Sequence, residues 1–137
     1  MKYAFGISII FLVLSMPHAG CVNSENPNIN VISADSLNTM LQDKDFTLVN
    51  VHIPYAGEIP KTDRFIPYNK IKDHLEELPP KDSTIVLYCR SDRMSSIAAN
   101  TLAQSGYSDL FNVKGGMRAW ESAGFDLIHN VSRSGSR

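Results

Sequence analysis

The side chains with chemical potential are concentrated in one stretch, Tyr88-Cys89-Arg90-Ser91-Asp92-Arg93-Met94-Ser95-Ser96. Cysteine 89 directly follows the continuous apolar run 84–88 (TIVLY), which reads as a strand buried on both faces. A short polar loop with two arginines comes next, and then a small-residue helix over 95–104 that stops at Gly106. A strand–loop–helix turn of this kind aims several backbone N–H groups and a helix N-terminus at one small space. A thiolate there is stabilised by the loop amides, the helix dipole and the guanidinium groups of Arg90 and Arg93. The same cradle would hold an oxyanion, or a terminal sulfur carrying negative charge. A cysteine that merely fills a core needs none of these surroundings.

The other candidates are weaker. Cys21 has no CxxC partner, so neither a zinc ribbon nor a dithiol redox site is expected, and two cysteines do not make a disulfide scaffold. His52, His74 and His129 show no metal-ligand spacing, and His74 reads as a solvated residue on the polar side of a helix. Asn130-Val131-Ser132 fits a glycosylation acceptor pattern that is weak in a loose tail. With 13 basic against 14 acidic residues in 137, the chain carries no electrostatic footprint for nucleic acid.

The elements that position the cysteine loop alternate. Residues 30–32 form a short apolar edge, and Ser33 caps a helix to about Gln42 with Leu37, Met40 and Leu41 on one face. Residues 46–53 (FTLVNVHI) read as a strand and 54–67 as a long loop punctuated by Pro and Gly. Asn69 is placed to cap a second helix, whose Ile71, Leu75 and Leu78 make one stripe ended by Pro79-Pro80. Residues 110–113 are a further strand, and 117–123 a last short helix closed by Gly124, with Trp120 and Phe125 beneath it. Strands alternating with helices predict a single α/β domain with a mainly parallel central sheet flanked by helices. In such sheets the ligand site lies at the carboxyl ends of the strands.

The domain is expected over 31–130, with a linker at 21–30 and a loose tail at 131–137. Residues 1–20 carry one charge, Lys2, before an apolar run and then small residues, the pattern of a secretory signal peptide. Ala19-Gly20-Cys21 resembles a bacterial lipobox, although His18 stands where that pattern wants a Leu-like residue. Lipoprotein processing before Cys21 is the leading expectation, with plain secretion and an uncleaved anchor as alternatives. Either way the protein is expected to be exported, to the periplasm or another extracytoplasmic space, and to be a monomer.

The stretch from about Val31 to Ile128 resembles a single rhodanese domain. The cysteine loop is similar to the family's cysteine-arginine-x-glycine-x-arginine loop. Val113-Lys114-Gly115-Gly116-Met117-Arg118-Ala119-Trp120 matches its Gly-Gly-x-x-x-Trp signature, and Leu48-Val49-Asn50-Val51-His52 stands at its Leu-Ile-Asp-Val-Arg strand. The resemblance implies a rhodanese-like fold and a sulfurtransferase needing no metal or organic cofactor. Cys89 would take the outer sulfur of a small anionic donor such as thiosulfate and pass it, from a persulfide, to cyanide or a thiol. The N–H groups of residues 90–95 (Arg90, Ser91, Asp92, Arg93, Met94 and Ser95) would hold the persulfide, with Arg90 and Arg93 attracting the donor.

Some positions depart from the family. Asp92 replaces a glycine, so left-handed backbone is expected there, and its charge would oppose an anion beside the thiolate. Met94 removes a donor. Asn50 and His52 replace an acid–base pair, which implies an altered local network. The 54–67 loop is read as lacking the Gly-His-Ile-Pro-Gly-Ala consensus, and its Tyr55 and Phe65, with Tyr68 just beyond, either pack or wall the pocket. Three rival readings remain. A phosphatase of this fold needs Cys-x5-Arg, and Ser95 stands at the arginine position. A non-catalytic or sulfur-carrier binding module is motivated by Asp92 and Met94. A thiol redox sensor would lack a resolving cysteine in the domain.

Overall fold

The computed structural model describes residues 29–129; the proposed signal peptide, Cys21, most of the linker and the tail 131–137 lie outside them. Five strands, β1 (Asn30–Ile32), β2 (Thr47–Asn50), β3 (Arg64–Phe65), β4 (Ile85–Tyr88) and β5 (Leu110–Val113), pair in the order β1-β5-β4-β2-β3. Every strand pair is parallel. Three helices, α1 (Ala34–Met40), α2 (Arg93–Gln104) and α3 (Gly116–Ser122), flank the sheet. The chain therefore has the α/β architecture that the alternation of elements predicts.

The apolar run before Cys89 is the middle strand, and all four residues of β4 are buried. Successive side chains on a strand point to opposite faces, so the pleat divides them between two cores. Ile85, Leu87 and Cys89 join the core beneath α2, with Val49, Val51, Ala98 and Leu102. Val86 and Tyr88 join the core beneath α1 and α3, with Leu37, Leu48, Met117 and Trp120. Strand period thus assigns Cys89 to the α2 face. Trp120 and Phe125 pack with ring centroids 4.6 Å apart, as expected beneath α3.

Ser33 caps α1 as expected, its Oγ accepting from the Ser36 N–H at 3.1 Å, and a 3-10 turn at Leu41–Asp43 finishes that helix. Two expectations are corrected. The helix expected after Asn69 is a 3-10 segment, Ile71–Glu77, with non-helical angles at His74 (φ −126°, ψ 30°) and no side-chain cap. Its apolar stripe is still used, with Ile71 buried and Leu75 and Leu78 packed on the core, but Pro79 forces Leu78 into extended backbone. The 3-10 form also rises further per residue and spans the gap to β4 with few residues. The second correction is β3. Two residues inside the expected loop pair with Val49 and Asn50, too few for a period-2 signal to show in the sequence.

Candidate functional site

Cys89 ends the central strand at 1% exposure. Its Sγ lies 3.3 Å from Oγ of Ser95, a residue buried in the first turn of α2. The Ser95 hydroxyl also lies 3.1 Å from the Asp92 carbonyl, to which it donates. With a neutral thiol, the S–H can donate to Ser95. With a thiolate, the hydroxyl hydrogen must turn from the Asp92 carbonyl to sulfur. The sequence marks Ser95 for its backbone N–H; the contact of its hydroxyl with the thiol depends on how α2 starts and leaves no sequence signal.

The loop around the thiol is rich in uncommitted donors. Among the described residues, none of the N–H groups of residues 90–95 donates to a backbone or side-chain acceptor. The first internal bond of α2 runs from Ser96 N–H to the Asp92 carbonyl at 3.0 Å. Arg90 and Arg93 are exposed, and Met94 is half-buried against the core that holds Cys89. Met94 therefore packs, and supplies no polar group beyond its backbone.

The loop is held from the other side by the tandem glycines. Met117 N–H donates to the Cys89 carbonyl at 2.9 Å, and Arg118 N–H to the Arg90 carbonyl at 3.0 Å. Gly116 adopts φ +52°, and a Cβ there would stand 2.2 Å from the Cys89 carbonyl oxygen. Only glycine permits both that backbone angle and that approach. Asp92 completes the latch, its Oδ1 accepting from Gly115 N–H at 2.8 Å. This corrects one expectation: Asp92 has φ −147°, not left-handed backbone, and its carboxylate is bonded by the glycine turn.

At the end of β2, Asn50 Nδ2 donates to the Gly57 carbonyl at 3.0 Å and Asn50 Oδ1 accepts from His52 N–H at 3.0 Å. The altered pair thus forms a local network that ties the strand to the following loop. Burial, and then the positive charge of Arg90, push the His52 imidazole below its ordinary pKa. Tyr88 accepts from Ile59 N–H at 3.0 Å, and burial pushes its hydroxyl well above the usual tyrosine range.

The expectation that the 54–67 loop lacks the family consensus is corrected in part. Gly57, Ile59 and Pro60 stand in consensus order, with Glu58, Lys61 and Thr62 as the departures. Lys61 has φ +64°, at the consensus position of the second glycine. Tyr55 and Phe65 pack edge to face with centroids 5.4 Å apart, and Tyr68 packs on the α2-side core. A second group of polar side chains lies elsewhere: ligand atoms of His74, Glu76 and Glu77 fall within 4.8 Å of one another on the exposed 3-10 segment.

Residues 33–123 match the model of the rhodanese-like domain family. A protein of Allochromatium vinosum named sulfurtransferase is 35% identical over 104 residues, which span 73% of this chain and 95% of that protein. Among solved structures, a rhodanese-like domain protein of Staphylococcus aureus superposes with a TM-score of 0.64 at 28% identity, covering 75% of this chain and 100% of that one. A thiosulfate sulfurtransferase of Pseudomonas aeruginosa gives 0.65 at 25% identity, over 75% of this chain and 20% of its own. The family match, the parallel sheet and the cysteine loop locked to the tandem glycines agree: this chain belongs to the rhodanese-like domain family.

Proposed function

We propose that the protein is a sulfurtransferase that carries sulfur as a persulfide on Cys89. The observation that bears most weight is the set of uncommitted N–H groups of residues 90–95 around a buried thiol. Residues 90–93 are exposed, Met94 is half-buried and Ser95 buried, so these amides are open to water or to an anionic ligand beside the thiol. The thiolate of Cys89 attacks the outer sulfur of a donor such as thiosulfate. A Cys89–sulfur bond forms, the donor's S–S bond breaks, and sulfite leaves with the bonding electron pair. The outer sulfur, now anionic, sits among the loop amides. Cyanide or a thiolate then attacks that sulfur and returns the electron pair to Cys89. Arg90 and Arg93, both exposed at the loop, draw the anionic donor in.

Incubation with thiosulfate should add one sulfur to Cys89 by intact mass, and cyanide should remove it. A Cys89 that alkylates readily but gains sulfur from no donor would favour a binding module. We also propose export directed by residues 1–20. The mass of the mature N-terminus tests this, since lipid on Cys21, a free new N-terminus and an intact Met1 give three different values.

A further inference from the structure

Among the described residues, the side-chain group within hydrogen-bond reach of the Cys89 sulfur is the Ser95 hydroxyl, at 3.3 Å. Cys89 is 1% exposed and Ser95 0%, so bulk water does not substitute for that contact. The first turn of α2 is pinned to the sheet, because Asn112 Nδ2 on β5 donates to Ser96 Oγ at 3.2 Å. The Ser95 hydroxyl donates to the Asp92 carbonyl at 3.1 Å. That carbonyl also accepts from Ser96 N–H at 3.0 Å. The hydroxyl hydrogen can therefore leave the carbonyl without orphaning it. It has two acceptors within reach, an oxygen already bonded elsewhere and a sulfur.

The state of Cys89 decides between them. A thiolate carries its charge on Sγ and accepts a charge-assisted bond, about twice as strong as a neutral one. In a persulfide Sγ is a neutral divalent sulfur and a weak acceptor, while the charge lies on the outer sulfur. Resting on the sulfurtransferase reading above, we propose that the Ser95 hydroxyl is a two-position switch that favours the free thiolate over the persulfide and speeds discharge of the loaded sulfur. In discharge, cyanide forms a carbon–sulfur bond to the outer sulfur and the S–S bond breaks. Thiocyanate leaves, and the electron pair of the broken bond stays on Cys89 Sγ. Charge develops on Sγ as that bond breaks, so the hydroxyl bond is stronger in the transition state than in the persulfide and lowers the barrier. The loop amides hold the loaded sulfur, and the hydroxyl helps to release it.

Two measurements on the full chain test this with Ser95→Ala, which leaves the Asp92 carbonyl its bond from Ser96 N–H. The first runs at about pH 9.5, above the ordinary cysteine range, at a fixed ratio of thiosulfate to sulfite. The ratio of persulfide to free Cys89, read by mass on its own peptide, should rise about tenfold in the variant. Discharge of the preloaded variant by cyanide should slow several-fold. A merely structural role would slow discharge without raising the loaded share. An unchanged or lower persulfide ratio, or unchanged discharge, overturns the proposal. The second measurement is the pH profile of Cys89 alkylation by iodoacetamide, which needs no sulfur transfer. Its midpoint should move up by about one pH unit in the variant. Arg90, Asp92 and Arg93 on the loop, Lys114 and Arg118 around the tandem glycines, and His52 near Arg90 are the same in both proteins, so the shift reports the hydroxyl. Coincident profiles overturn the proposal. A wild type that loads no persulfide counts against the sulfurtransferase reading alone, and the alkylation profile then decides whether the hydroxyl holds the thiolate.

Discussion

Two regions of this molecule gather reactive side chains, and they differ in what holds them. The His74, Glu76 and Glu77 group sits within four residues of one 3-10 segment, on the surface, with His74 Nδ1 2.8 Å from Glu77 Oε1. It borders a cleft of about 380 Å³, which lies at the amino end of β2, away from Cys89. The cysteine loop has a single nucleophile, but the flanking β4 and α2 enclose it, and the tandem-glycine turn bonds to it from 23 residues away. Side-chain density and cleft size favour the first region; convergence of distant backbone favours the second. A site needs fixed geometry, and fixed geometry comes from independent elements bonded to the same few atoms. For this reason that cleft carries little functional weight here.

The largest effect should come from the nucleophile. Cys89→Ser should abolish persulfide formation and lower thiosulfate:cyanide turnover by at least about a thousandfold, with little change in the unfolding midpoint. A variant that keeps more than a few per cent of turnover would break the comparison at its centre. Gly116→Ala should be next. The new methyl would meet the Cys89 carbonyl oxygen at 2.2 Å and the Ser91 carbonyl oxygen at 2.9 Å, at a backbone angle that L-residues avoid. A loss of about 2–4 kcal/mol in urea unfolding is expected, with turnover falling further than stability accounts for.

Asp92→Ala separates the latch from the electrostatic reading of the same residue. If the carboxylate chiefly holds Gly115 N–H, removing it should cost about 1 kcal/mol, since the bond is exposed, and should slow persulfide formation several-fold. A faster reaction with thiosulfate would show instead that repulsion of the donor dominates.

Much of this was legible in the sequence, for reasons tied to particular residues. The buried strand at 84–88 and the placement of Cys89 at its end follow from the continuous apolar run alone. Gly115-Gly116 was legible as a motif, but its task of admitting the Cys89 carbonyl was not, because a close approach between segments far apart in sequence leaves no local trace. The same holds for Asp92. Reading it as a substitute for glycine predicted left-handed backbone, whereas its φ is −147° and its carboxylate bonds a residue 23 positions away. The segment at 71–77 failed differently. Its stripe was right and its helix type wrong, because the pull of Pro79 and the distance to β4 decide the winding.

The two described histidines nearest these regions give smaller tests. His52 beside Arg90 has its pKa lowered from 6.5 by burial and then by that charge. The unfolded chain therefore takes up a proton before the folded one as pH falls through about 6.5, and stability is lost below that value while it is unaffected above it. His52→Gln should remove that share of acid sensitivity, seen as a smaller drop in urea midpoint between about pH 7.5 and 5.5. An unchanged drop would mean that other groups carry it.

His74 should matter least. Its contact with Glu77 is between side chains 32% and 42% exposed, where water competes for both partners. His74→Ala should change stability by less than about 0.5 kcal/mol and leave persulfide formation unaltered. A zinc titration by calorimetry should show no saturable micromolar site in either protein. The three groups hang on flexible exposed side chains of one segment, with no described residue from another element bonded to the imidazole to fix its orientation. Saturable zinc binding lost in His74→Ala would overturn this account, since it would show that three ligand atoms on one exposed segment suffice, and the convergence that marks the cysteine loop would no longer separate the two regions.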